Sequence, residues 1–172
     1  MTTLVETADL VNRLAALDEK RRQTVEREIE AFEDSEPNSN PFAETRTILE
    51  QQSAALERLE SLLESEESEL EELQQATDHL SVDQAVRHRD QALAKLERRI
   101  DLLQSFRLHM SQAISTVESN LVAIERGDLP SDGSTGDEIA FHLQQAHAVL
   151  EEHNEMIDGL RRNLTILNAY LV

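Results

Sequence analysis

The stretch "ELQQATDHLSVDQAV", residues 72–86, holds neither Gly nor Pro, yet it lies between two long heptad patterns. Upstream runs a seam of Leu49, Gln52, Leu56, Leu59, Leu63, Glu66, Leu70, Leu73, Thr77 and Leu80. The steps alternate between three and four residues, the period of a left-handed coiled coil. Downstream the seam is Val82, Val86, Arg89, Leu93, Leu96, Ile100, Leu103, Arg107, Met110, Ile114, Val117, Leu121 and Ile124. Continued in phase, the first seam would next reach Gln84 and Arg87, both polar. The second seam is out of frame by two residues, whereas coiled coils absorb insertions of three or four. A straight helix would bury one half of its stripe and expose the other. Leu80, Ser81 and Gln84 also have the spacing of a hydrophobic staple and capping box. The sequence therefore predicts a tight turn near Asp78 to Ser81, and a hairpin in place of a rod about 120 Å long.

Charge argues the same way. Residues 57–72 hold eight Glu and one cation, Arg58, while residues 87–99 hold Arg87, Arg89, Lys95, Arg98 and Arg99 against Asp90 and Glu97. Folding back about residue 79 or 80 sets these segments side by side. The expected register places Arg89 one layer from Glu66, so that the two pair within the seam, and brings Gln52 near Arg107. Polar layers of this kind fix register at some cost in stability.

Outward from the hairpin, "SEPNSNP" at 35–41 reads as a linker, with Asn40 and Pro41 as N-cap and first helical residue. Before it, Thr3 and Glu6 in capping-box spacing open a first helix. Its apolar stripe is interrupted by "DEKRR" at 18–22, which suggests contact with solvent or a charged partner. Gly127 suits the C′ position of the third helix. After the linker "DLPSDGSTGD" at 128–137, a fourth seam runs through Ile139, Leu143, Ala146, Leu150, His153, Ile157, Leu160, Leu164, Leu167 and Leu171. The expected fold is all-α: an elongated antiparallel bundle of four long helices with a central coiled-coil hairpin. One domain spans 1–172, with helices over about 3–34, 41–78, 81–126 and 136–171 and linkers at 35–40 and 127–135. Four Gly, three Pro and five aromatic residues leave too little turn and strand material for a β fold.

The formal charge is −19, from 35 acidic against 16 basic residues, and Lys20 and Lys95 are the only lysines beside fourteen arginines. This acidic, Lys-poor composition resembles that of proteins from salt-in halophiles, haloarchaea especially. Molar salt screens charges over about 3 Å, so an acidic surface is tolerated there and stays hydrated. High salt is accordingly the expected medium, and the cytoplasm the expected location. The N-terminus has no signal-peptide core and no apolar run reaches membrane-span length. The net charge disfavours direct nucleic-acid contact.

Catalytic chemistry is not signalled. No Cys is present, and no Glu is followed three residues later by His, the pattern of di-iron bundles. "GSTG" at 133–136 lacks the Lys and preceding strand of a phosphate loop. No catalytic, cofactor or metal residue is assigned. His153 is singled out because it sits on the fourth seam, as a register-setting polar residue or a pH-sensitive one; His88 and His109 lie off the seams. The expected function is that of a non-enzymatic interaction or scaffold protein, binding a protein partner or a second copy through helical faces. The candidate register residues are Glu66, Arg89, Gln52, Arg107 and His153. Two alternatives are a metal-dependent bundle enzyme using His147, Glu151 or His153, and a regulatory or viral protein acting through protein contacts.

Overall fold

The computed structural model describes residues 2–34, 40–128 and 134–171. Its helices are α1 (Thr2–Asp34), α2 (Ala43–Thr77), α3 (Asp83–Arg126) and α4 (Ser134–Leu171). No strand occurs among the described residues, and the fold is an all-α helical bundle. Most of the two expected linkers, at 35–39 and 129–133, lies outside the described residues. No helix is long and apolar enough to cross a membrane, among the described residues.

The helix breaks where the two seams lose phase. α2 ends at Thr77, and α3 begins at Asp83. The expected Ser81 cap is replaced by Val82, whose extended backbone (φ −78°, ψ 118°) precedes α3 without a side-chain cap. The end of α2 is instead closed from across the turn. Arg89 donates from Nη1 to the Thr77 carbonyl at 3.3 Å, and a cation at a helix C-terminus offsets the partial negative charge there.

The start of α2 is also built by a neighbour. Phe42, not Asn40, is the N-cap residue; it is fully buried and packs against Phe32 with ring centroids 5.6 Å apart. Since Phe42 has no polar group to offer, Glu28 of α1 supplies one. Its carboxylate accepts the Glu44 and Thr45 backbone N–H groups at 3.1 Å each and the Thr45 hydroxyl at 2.5 Å. Arg27 adds an ion pair to Glu44. These free N–H groups and the positive helix end favour an anion. Thr3, in turn, lies inside α1 and does not cap it; its hydroxyl donates to Glu69 of α2.

α3 terminates as the position of Gly127 suggests. Gly127 has φ 77°, and the Asp128 and Gly127 N–H groups donate to Ala123 and Ile124 carbonyls at 2.9 and 3.0 Å. That pair of bonds is a Schellman motif, which glycine enters without a steric penalty. Gly159, by contrast, lies within an unbroken α4. Its missing side chain accommodates Lys95 of α3, whose Nζ would stand 2.7 Å from a Cβ there.

Close backbone approaches join only consecutive helices among the described residues: α1 with α2, α2 with α3, and α3 with α4. Along α2 and α3 the partners Glu66–Arg99, Glu60–Arg107 and Arg46–Glu125 run in opposite chain order. The core gathers Val11 and Leu14 of α1, Leu49, Leu56, Leu59 and Leu63 of α2, Leu103, Phe106, Met110 and Ile114 of α3, and Ala146 of α4. The "DEKRR" segment does not interrupt this face as expected. Arg21 is buried within it and holds Asp18 at 2.5 Å, and the row continues through buried Thr24.

Candidate functional site: a polar layer across four helices

At one level of the bundle each helix buries a polar residue. α1 contributes Thr7, α2 Glu66, α3 Arg99 and α4 His153, all buried. The Thr7 hydroxyl donates to Glu66 Oε1 at 2.7 Å, and Arg99 donates through Nη1 to Glu66 Oε2. Arg99 is 1% exposed and Glu66 5%. This is a charged pair removed from water, the arrangement in which desolvation competes most strongly with attraction. Burial holds the Glu66 carboxyl above the usual carboxylate range, with Arg99 and Thr7 offsetting part of the rise. The same burial lowers the Arg99 guanidinium, against the pull of Glu66.

His153 completes the layer from α4. Its Nδ1 lies 3.2 Å from Asn154 Oδ1, while Nε2 is buried without a hydrogen-bond partner. Burial pushes the imidazole below its ordinary range, Asn154 pulls back, and the charge of Arg99 pushes it further down. Beside the layer, a cleft of about 220 Å³ opens between Leu4, Leu70, Leu73, Leu96, Ile100 and Leu164, with Glu66 and Glu69 on its wall. Every helix contributes to that lining.

The expected pairing of Glu66 with Arg89 is not found. The turn occupies residues 78–82, so partners are arranged about a point near residue 83 (Glu66 opposite Arg99, Glu60 opposite Arg107) and not about 79 or 80. Arg89 bonds Asp90 at 2.9 Å and caps α2. Nor does Gln52 meet Arg107. Gln52 is fully buried with neither side-chain polar atom bonded, and Arg107 pairs with Glu60 at 3.0 Å. An unbonded buried amide is costly, which makes Gln52 a weak point of the core.

Arg99 and Thr7 escaped the sequence reading. Arg99 precedes Ile100 and falls off the α3 stripe, because α3 packs on both α2 and α4 and so buries a broader face. In its first half the buried row is Ala85, Ala92 and Arg99, spaced by sevens, while Val82 is exposed and Leu93 and Leu96 are half-buried. Small alanines at that row admit close helix approach. The seven-residue spacing was the available signal.

Of the other histidines, His147 bonds Glu151 at 3.3 Å on an exposed face of α4, apart from the buried His153. His88 Nδ1 lies 3.4 Å from Asn163 Oδ1. His109 and His142 face one another across α3 and α4, Nδ1 to Nδ1 at 3.2 Å. Among the described residues no group of three or more His, Cys, Asp or Glu converges on one point. No protein-family model, curated protein or solved structure matches the chain.

Proposed function

We propose that this chain is a non-enzymatic helical interaction protein of a halophile, acting as an antiparallel coiled-coil scaffold, and that its partner surface lies on α4. The observation that supports this reading is an inversion of two heptad rows. Ala146, His153, Leu160 and Leu167 are buried, whereas the bulkier row Leu143, Leu150, Ile157 and Leu164 is only half-buried. A helix that served its own bundle alone would turn its larger aliphatic row inward. Leu143 and Leu150 pack against the core on one flank only, α4 makes no close backbone approach to α1, and Leu4 and Leu164 share the cleft between them.

Narrow rows of this kind fit another helix, in the mode where an amphipathic helix is read through anchors four and seven residues apart. A second copy of the chain is the partner we put first, because it carries the same apolar row flanked by the same acidic and basic positions. Three cations of α3 are engaged within the bundle. Arg98 is held by Glu152, Arg99 by Glu66 and Arg107 by Glu60, so direct nucleic-acid binding has no place in this reading.

Sedimentation in molar KCl tests it. The wild-type chain is expected to associate, and Leu150→Glu with Ile157→Glu to sediment as a monomer of unchanged helical content. A wild-type chain that remains monomeric at every concentration would overturn self-association as the function.

A further inference from the structure

His109 of α3 and His142 of α4 sit off every apolar row, yet the fold brings their Nδ1 atoms to 3.2 Å. Their rings lie 5.6 Å apart between centroids, with planes inclined by 35°. Phe141, the preceding residue on α4, meets the His142 ring edge-on at 5.3 Å. Both rings are half-buried and therefore open to solvent on part of their surface. In the neutral pair one ring donates its Nδ1 hydrogen and the other accepts it. Burial, with His142 adding to it, keeps His109 below the ordinary histidine range.

A tetrahedral zinc ion with Zn–N bonds of 2.0–2.1 Å spaces two ligand nitrogens roughly 3.3 Å apart. The separation of the two Nδ1 atoms already matches. We propose that His109 and His142 form a two-imidazole site for a late first-row divalent metal ion, zinc foremost, at the α3–α4 contact. Small rotations of the two rings turn the lone pairs from facing each other to converging on the ion. The hydrogen shared at Nδ1 moves to Nε2 of the donor ring, so two neutral imidazoles bind without net proton release. Imidazole is a preferred ligand of zinc, copper and nickel. Water fills the remaining positions, because no third His, Cys, Asp or Glu converges among the described residues.

Calorimetric titration of the tag-free chain with zinc sulfate, in molar potassium sulfate above neutral pH, tests the site. One ion per chain is expected, with saturable binding. His109→Ala and His142→Ala should each weaken it at least about tenfold. His147→Ala removes the exposed pair with Glu151 and should leave the affinity unchanged. His109→Phe, which keeps a ring between the helices, should lose zinc while the circular dichroism spectrum stays that of wild type. Nitrogen NMR of the imidazoles should show the donor ring of the pair converted, so that both His109 and His142 are in the Nε2–H form on zinc addition. Zinc binding that survives both alanine substitutions would be carboxylate binding by the acidic surface and would overturn the proposal. Saturation failing at a large excess of zinc would overturn it equally.

Discussion

Arg99 stands in the interior with one carboxylate to face, and its energetic role follows from what each partner would do alone. Desolvation raises Glu66 and lowers Arg99, which means that the pair is held by the surrounding packing as much as by its own attraction. Arg99→Ala leaves the Glu66 carboxylate buried without its cation and should cost about 3–5 kcal/mol in denaturant unfolding. Glu66→Leu with Arg99→Met removes both charges at similar volume, and the double variant should be at least as stable as wild type. A double variant as unstable as the single one would show that the pair stabilises the bundle outright. His153 gives the same layer a dependence on pH. Its folded value is depressed, so the unfolded chain takes up a proton that the folded chain refuses. The stability it contributes is complete above about pH 6.5 and is lost as pH falls through that value toward the folded one. His109 acts with the same sign, while Glu66, whose carboxyl is raised, is relieved of part of its burial cost as pH drops toward 4.5. His153→Leu should flatten the slope of unfolding free energy between about pH 5 and 7 without abolishing it.

The helices themselves end by contacts of different reach, and that difference decides what could be read in advance. The break between α2 and α3 was legible because heptad phase is a local property, and Gly127 was legible because a left-handed terminus demands a particular residue. Glu28 was not. It caps α2 from sixteen and seventeen residues away in sequence, and nothing in "EREIEAF" distinguishes one glutamate from the next. Glu28→Ala should destabilise the protein by ~1 kcal/mol, the size of a lost N-cap, as read from the urea midpoint. The pairing register was hidden for a related reason. Heptad rows repeat every seven residues, so Glu66 could be matched with several cations on α3. The number of residues consumed by the turn selects Arg99 and leaves Arg89 to close the helix end. At Gly159 the local rule gives a usable expectation. The tip of Lys95 can swing away from an added methyl group, so Gly159→Ala should raise the unfolding midpoint by up to the ~1 kcal/mol that separates glycine from alanine in a helix.

At the scale of the molecule, the net charge of −19 is carried largely on outward faces, with Glu57, Glu64, Glu67 and Glu71 of α2 all exposed. The few ion pairs that cross between helices do not neutralise such a surface, and surface pairs contribute little individually. Screening by salt is the test of whether this surface repulsion weakens the fold. The thermal midpoint should rise steadily from low salt into molar KCl, where charges interact over only about 3 Å. Replacing Glu57, Glu64 and Glu71 by Gln should reduce that rise; an unaltered salt dependence would locate the repulsion elsewhere. The four-helix class and the buried Gln52, Glu66 and His153 could be read from periodicity, whereas the partners of Glu66 and the half-buried α4 row required knowing how the helices close on one another.

That open side also sets how the molecule can come apart. The backbone of α1 closes on α2 alone, as that of α4 does on α3, while α2 and α3 each hold two partners, so α1 can leave by separating one backbone contact and drawing its side chains from the shared core and cleft. The polar contacts it would abandon, among them Thr7 to Glu66, Glu28 to Thr45 and Glu6 to Arg58, could be remade unchanged with the α2 of a neighbouring chain. Helix exchange between molecules therefore requires no new chemistry. Pulled from its N-terminus, the bundle would yield first along this one seam, peeling rather than shattering.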